Sequence, residues 1–599
     1  MTGHLWLEKT IQEYENKQND DKSNKNLIIP LKQDGSRYYL NEAKGVQRLI
    51  LYHIFDTIKK WVTNDSSFVP FHRIITGAGG SGKSYLIQQI TSAIRQMFGK
   101  NETVETSAFT GAAAYNIRGS TIHSAYSINC MNSDMEMSQL SRDKLIRRMR
   151  HTVALLFDER SMISAEVLGA AERNVALTCH GGNKHKMKWG GIPIILLFGD
   201  DYQLPPVQIK GKGKGAFHAI DYTSTKYKSM LSTEVKGIQE FVRLSKDAFN
   251  LDSNERIQND QNEFKELLNR VRIGKPTEED KAILLSLSLH KIPRQIREQH
   301  ETSSDTLNLF ATREMCCDHN FKKLKEHSTE ENPVAFLKHR LPKHYHEKNN
   351  DQNAIPQATC FSRGCKVSIK GRNFCPILGL YNGAIGTVEE IVYKPNETPN
   401  TGNLPLYVAV NFPGYLGHKT EFGKYVWDTK LPTVIPVPMI KTIDEKTRKS
   451  ITYCPLVLSF ARTIHTYQGQ SAGPTKDNST NAIMRLICDV GTARFESQNI
   501  GLLYTALSRA TTIGSIEKQR TDSAIFFTHS LDKSRLDRLS TKSDNDEYEM
   551  IKRRNKWINL LTNNRNSIRN EVTNEQINST LEWATVTRIP IETIEDIIR

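Results

Sequence analysis

Four stretches of the chain read as buried strands that lead into polar or small residues: Phe71–Thr76 and Thr103–Ala108, with some polar positions, and the near-continuous apolar runs Thr152–Phe157 and Ile192–Phe198. Runs of this length with no alternating polar face predict strands of a parallel sheet covered on both sides. After the first run, Leu86, Ile87, Ile90, Ile94 and Met97 recur at helical spacing, which predicts a helix with one apolar face. Strand and helix thus alternate from about Leu40. Beyond residue 235 a second α/β region follows, with a strand expected at Thr306–Ala311 and helix returning at Gly501–Ala510. Between them Val367-Ser368-Ile369, Gly386-Thr387-Val388 and Tyr407–Phe412 set β-formers among Gly, Pro and Asn turns, the mark of a small β insertion. The polar stretch Glu13–Asn26 predicts a loosely packed arm, and residues 531–599 read as charged and mostly helical. No internal repeat is visible.

With 599 residues the chain is too long for a single core, and two to four domains are expected. Hydrophobic residues make up 38%, with no apolar run long enough to span a bilayer, so no membrane association is expected. Met1–Thr10 lacks a sustained apolar core, so no secretory signal is read there. The 9 cysteines follow no framework spacing, which fits a reducing, intracellular setting. Neither Cys360, Cys365 and Cys375 nor Cys316 and Cys317 form paired metal-ligand spacing, so free thiols and no structural metal are expected. His339, His344 and His346 are read as part of a solvated basic loop.

Charge changes the picture. Lys and Arg number 81 against 66 Asp and Glu, a formal net of +15, and such an excess favours a polyanionic partner through counterion release. Clusters at Arg147–Arg150, Lys184–Lys188, Lys210–Lys214 and Lys552–Arg554 sharpen that reading, although each alone reads as a solvated patch.

The chemistry begins at Gly77-Ala78-Gly79-Gly80-Ser81-Gly82-Lys83-Ser84, which fits the phosphate-binding pattern GxxxxGK[ST]. Its glycines let the backbone curl its N–H groups around phosphates, Lys83 reaches the outer phosphates, and the Ser84 hydroxyl sits on Mg²⁺. ATP and Mg²⁺ are therefore the expected cofactors. Asp158-Glu159 ends the third apolar run, where Asp158 would hold the metal and Glu159 would polarise a water. In Gly199–Pro206 (GDDYQLPP), the Gln203 amide is placed to bond both a γ-phosphate and its attacking water.

The phosphate loop, LLFDERSM (Leu155–Met162) and GDDYQLPPV (Gly199–Val207), in this order, resemble superfamily-one helicases. Among these the chain resembles most the Pif-one family of 5′-to-3′ DNA helicases, relatives of the bacterial RecD group. Further segments match: Ser107–Ala114, Gly119–Ser124, Trp189-Gly190-Gly191, Leu309–Arg313, Thr463–Gly469 and Tyr504–Ala510. The Asn254–Asp260 segment carries what looks like one extra residue, and Thr466 stands where the family has Lys.

The resemblance implies two RecA-like parallel-sheet domains, residues 40–234 (with a small wedge insertion at about 125–150) and 235–383 with 456–530. A Src-homology-three-like β insertion is expected at 384–455, a polar arm at 1–39 and a tail at 531–599. It gives Arg256 and Arg509 to the γ-phosphate from the second domain and Gln47 to the adenine. Phe109 would stack on a base, and Thr110, His123, Thr463 and His465 would hold phosphate or sugar of single-stranded or partly duplex DNA. It further implies a monomer on DNA, nuclear or mitochondrial residence, and roles in repair, recombination and telomere maintenance. An ATPase that remodels nucleic acid without unwinding it, and an inactive mobile-element relative, stay open as alternatives.

Overall fold

The computed structural model describes residues 29–30, 32, 36–129, 132–178, 187–206, 214–221, 232–252, 257, 261–342, 355–398, 403–415, 433–443, 449–474, 483–490, 500–528, 545–563 and 572–598. Arg256, His344, His346 and most of the polar arm lie outside these residues. The described residues fall into two compact units. One takes residues up to Arg294 together with 469–474, Val490 and 500–598, and the other takes 295–468 with 483–489.

The larger unit is built on a sheet of six parallel strands. In chain order these are β1 (Phe71–Gly77), β2 (Val104–Ala108), β3 (Ser120–Thr121), β4 (Ala154–Asp158), β5 (Ile194–Gly199) and β6 (Ala248–Leu251), arranged in space as β3-β2-β4-β5-β1-β6. The period of two divides each strand between two cores. Leu156, Ile194, Leu196 and Phe198 face one core, while Leu155, Phe157, Ile195 and Leu197 face the other. This is why β4 and β5 carry no polar position before their carboxyl ends.

Helices cover both faces. On the first lie α1 (Gly45–Val62), with Ile50, Leu51, Ile54, Phe55 and Ile58 buried, and α2 (Lys83–Phe98), with the apolar stripe read from the sequence. On the second, α3 (Ala165–Thr178) packs on α4 (Ser232–Leu244). The unit continues past the boundary at 234 expected from the sequence, because β6 pairs with β1 and α5 (Asn262–Arg272) follows it. The C-terminal segment also belongs to this core rather than trailing from it. Trp557 and Leu561 of α6 (Asn545–Asn563) join the second core, and Ile577, Leu581 and Ala584 of α7 (Asn574–Val586) join the first.

In the smaller unit β7 (Thr306–Phe310) pairs in parallel with residues 461–463 on one side and 485–489 on the other. An antiparallel sheet of five strands runs in the order 434–438, 407–411, 385–392, 366–369, 456–458. It reaches beyond the expected limits of 384 and 455, because Val367, Ile369 and Leu456 share its apolar core with Val388, Val408 and Val410. His339 is not in a solvated loop. It is 5% exposed, and its Nδ1 donates to the Pro356 carbonyl at 2.7 Å.

Candidate active site

Strand register sets the site. Thr76 of β1 lies beside Gly199 of β5, and Ala108 of β2 beside Asp158 of β4. The loops that leave these strands therefore share the carboxyl edge of one sheet, where ligands of such sheets gather.

The loop after β1 curls as its glycines allow. Gly80 and Gly82 have φ of 86° and 82°, and a Cβ on Gly77 would collide with the Ser81 hydroxyl. Gly82 caps α2 without a side chain, so the first N–H groups of that helix open toward the loop. The Lys83 ammonium donates to the carbonyls of Gly77 at 2.9 Å and Ala78 at 2.8 Å. A Cβ on Gly82 would stand 2.8 Å from Nε2 of Gln47, so α1 brings Gln47 beside the loop.

Ser84 Oγ donates to Asp158 Oδ2 at 3.3 Å. Burial, then the neighbouring Glu159, push the Asp158 carboxyl up from its ordinary value, against the pull of Lys83. Glu159 itself is buried, in left-handed backbone with φ 51°. Gln203 is 2% exposed; its Nε2 donates to Asp200 Oδ2 at 3.4 Å, and its Oε1 has no partner among the described residues. A backbone cradle, a mobile ammonium, a hydroxyl converging on a carboxylate and a free amide oxygen fit a nucleoside triphosphate with a divalent cation.

Arg509 is 1% exposed. It donates to the Thr505 carbonyl at 3.2 Å, the Ser508 hydroxyl at 2.8 Å and the Gln470 carbonyl at 3.4 Å. It was expected from the second domain, yet it falls in the same compact unit as the phosphate loop.

Of the candidate DNA contacts in this unit, Phe109 is half-buried, its ring 6.0 Å from that of His123. Thr110 caps the short helix Gly111–Asn116, accepting from Ala113 N–H. Burial lowers the His123 pKa. In the smaller unit Thr463 and His465 open the short helix Ile464–Tyr467. Burial, helped by Arg313, lowers His465 to about 4. Thr466, in the family's Lys position, bonds back to the Thr463 carbonyl at 2.8 Å.

The model of the PIF1-like helicase family matches residues 51–282. Over 438 residues the chain is 26% identical to ATP-dependent DNA helicase Pif1 of Bdellovibrio bacteriovorus, covering 73% of this chain and 81% of that protein. Against ATP-dependent DNA helicase RRM3 of Saccharomyces cerevisiae it is 24% identical over 524 residues, covering 78% of this chain and 65% of that one. The crystal structure of Pif1 helicase from Candida albicans shares the fold at a TM-score of 0.56 and 20% identity, covering 86% of this chain and 99% of that chain. Bacteroides Pif1 bound to ssDNA gives 0.52 at 18% identity, covering 84% and 97%. The chain is thus similar to PIF1-like helicases over residues 51–282 and shares the fold of their solved structures.

Sequence reasoning missed part of what holds this site together. Asp200 is fully buried and accepts from Arg272 at 2.9 Å and from the Tyr504 hydroxyl at 2.7 Å. Burial alone would raise its pKa, but the charges of Arg272 and Lys83 and these bonds hold it below its ordinary value. The same Tyr504 hydroxyl accepts the Gly79 N–H at 3.3 Å. Arg160 grips Asp201 through two bonds of 2.7 Å, tying the end of β4 to that of β5. Gly469 lies against Ala113 and Glu159, and its carbonyl accepts from Asn116 at 2.7 Å. Tyr504, Asp200, Arg160 and Gly469 all lie within motifs already noted, whereas nothing in the sequence marked Arg272.

Proposed function

We propose that the protein is an ATP-dependent DNA helicase that moves 5′ to 3′ along single-stranded DNA and unwinds the duplex ahead of it. The observation that carries this reading is the convergence of Lys83, the Ser84–Asp158 pair, Glu159 and Gln203 at one sheet edge. Lys83 and the loop N–H groups hold the phosphates, and Gln47 lies beside the loop for the base. Ser84 and Asp158 would hold Mg²⁺, which neutralises phosphate charge when bound. Glu159 takes the proton of the attacking water and Gln203 aligns that water. Arg509, with Arg256, supplies positive charge to the transferred phosphoryl.

In this reading both α/β regions are RecA-like, and the antiparallel sheet around residues 384–455 is the counterpart of the family's small barrel. Phe109 stacks on a base, and Thr110, His123, Thr463 and His465 bind the strand backbone. Polarity then follows from the motifs GSTIHS and TIHTYQG, which resemble the 5′-to-3′ branch.

The test is unwinding of partial duplexes carrying a single 5′ or 3′ tail, with ATP and Mg²⁺. The expected outcome is unwinding from the 5′ tail, and little from 3′-tailed or blunt substrates. Efficient unwinding from the 3′ tail alone refutes the polarity. DNA-stimulated hydrolysis with no unwinding on any substrate favours a remodelling ATPase.

A further inference from the structure

Helix α6, in the C-terminal segment, does more than fill the second core. Trp557 is fully buried, edge-on to Phe241 with ring centres 6.3 Å apart, and Arg553 pairs with Asp221 at 2.8 Å. These anchors fix the helix so that Arg554, one residue after Arg553, points inward and is 8% exposed. Its guanidinium carbon stands 5.2 Å from the centre of the Tyr202 ring, over which Arg272 also lies at 4.4 Å. Its Nε has no hydrogen-bond partner among the described residues. A buried guanidinium is costly to place, and here it is set over an aromatic face, with the carboxylates of Asp200 and Asp201 near enough to act on its charge.

Tyr202 is the residue between Asp201 and Gln203. Its N–H donates to Asp200 Oδ1 at 3.2 Å, the Gln203 N–H donates to the Asp200 carbonyl at 3.1 Å, and the Leu204 N–H donates to Thr505 Oγ1 at 3.2 Å. The N–H groups of residues 202, 203 and 204 are thus each tied, while the Tyr202 ring is held by the two guanidiniums. A cation over a desolvated aromatic face binds it by charge and quadrupole, so removing one cation frees the ring that sets the path of the chain into Gln203.

We propose that Arg554 is a positioning residue for ATP hydrolysis: through Tyr202 it fixes the segment that carries Gln203, which makes helix α6 part of the ATPase. The proposal rests on the reading of Gln203 as the residue that aligns the attacking water. A positioning group acts on the geometry of the reaction more than on the binding of nucleotide, and small displacements near reacting atoms are expensive in rate.

The experiment measures steady-state ATP hydrolysis of the full chain with saturating single-stranded DNA, below the melting temperature of each variant. Arg554→Ala is expected to lower kcat by on the order of tenfold to a hundredfold, with KM for ATP within about twofold of wild type. Arg554→Lys recovers most of the rate, because an ammonium also sits over an aromatic face. In a Tyr202→Leu background Arg554→Ala adds no further loss, the non-additivity expected of residues acting through one contact. Should the alanine variant fail to fold, Arg554→Gln keeps part of the aliphatic stem and a polar head, loses the charge and gives the same readout. Gln203→Ala, run in parallel, separates the two readings. If it loses kcat while folded Arg554 variants keep theirs, the positioning role is wrong and the Gln203 reading stands. If Gln203→Ala keeps wild-type kcat, the Gln203 reading fails and the proposal falls with it. A loss in Arg554→Ala that lysine does not restore, repeated in full in the Tyr202→Leu background, also overturns it.

Discussion

The Tyr504 hydroxyl donates to Asp200 at 2.7 Å and accepts the N–H of Gly79 in the phosphate loop. A motif late in the chain is thereby bonded both to the loop that takes the phosphates and to the carboxylate that begins the Gln203 segment. Asp200 is fully buried, so its charge depends on Tyr504 and Arg272. Tyr504→Phe removes a hydrogen bond to a charged group and is expected to cost about 1.5–3 kcal/mol of stability. Arg272→Ala leaves a buried carboxylate with one fewer partner and is expected to cost more, about 3–5 kcal/mol. Urea unfolding of both variants checks the order. A smaller loss for Arg272→Ala than for Tyr504→Phe would show that Asp200 does not need its cation.

Lys83 and Glu159 should fail in different ways. Lys83 is the ammonium bonded to the loop carbonyls, and Lys83→Ala is expected to abolish hydrolysis together with tight nucleotide binding. Glu159→Gln keeps the volume and removes the base, so nucleotide binds while turnover nearly stops. Measuring nucleotide affinity and single-turnover hydrolysis separately for each variant makes the distinction. Wild-type turnover in Glu159→Gln would take that residue out of the base role.

The strands of the larger sheet were legible because both of their faces are buried, leaving continuous apolar runs such as Ile194–Phe198. The phosphate loop, Asp158 and Gln203 stood out as candidates because the chemistry proposed for them needs fixed spacing within a short segment. What the sequence hid is non-local. Trp557, Leu561, Ile577 and Leu581 lie in a charged stretch, and the faces they cover are hundreds of residues earlier. Arg272 reaches Asp200 across 72 residues, and an ion pair of that span leaves no local pattern. His339 misled for a related reason: its basic neighbours suggested solvent, while its own ring is held by the Pro356 carbonyl.

Arg509 is wrapped by the carbonyls of Thr505 and Gln470 and by the Ser508 hydroxyl. If it supplies charge to the transferred phosphoryl, Arg509→Ala lowers turnover by about three to five orders of magnitude. Nucleotide affinity should change little, because the loop and Lys83 hold the phosphates. Arg509→Lys should not rescue the rate, since an ammonium lacks the planar fork. Equilibrium binding of a non-hydrolysed ATP analogue, set beside kcat, gives the answer. A variant that loses affinity and rate in equal measure points to a purely structural arginine.

Buried histidines predict how stability responds to acid. His53, His72 and His218 are each lowered by burial from 6.5 to about 4. His72 is 5% exposed; its Nε2 donates to the Ile192 carbonyl at 2.8 Å, a bond that pulls the pKa up, but burial is the larger effect and keeps the ring neutral. Because the folded pKa is depressed, the unfolded chain takes up protons first as pH falls through 6.5, and the folded chain follows only near 4. The contribution of these rings is therefore complete above 6.5 and lost progressively toward 4. The upper part of that window lies above about 5, clear of ordinary carboxylate titration. The urea midpoint is expected to stay level between about pH 7 and 8 and to fall below about 6.5. His72→Gln, which keeps a donor for Ile192 but cannot take up a proton, should show a shallower fall. A midpoint that holds or rises as pH drops through the window would mean that these rings are charged, or exposed, in the folded protein.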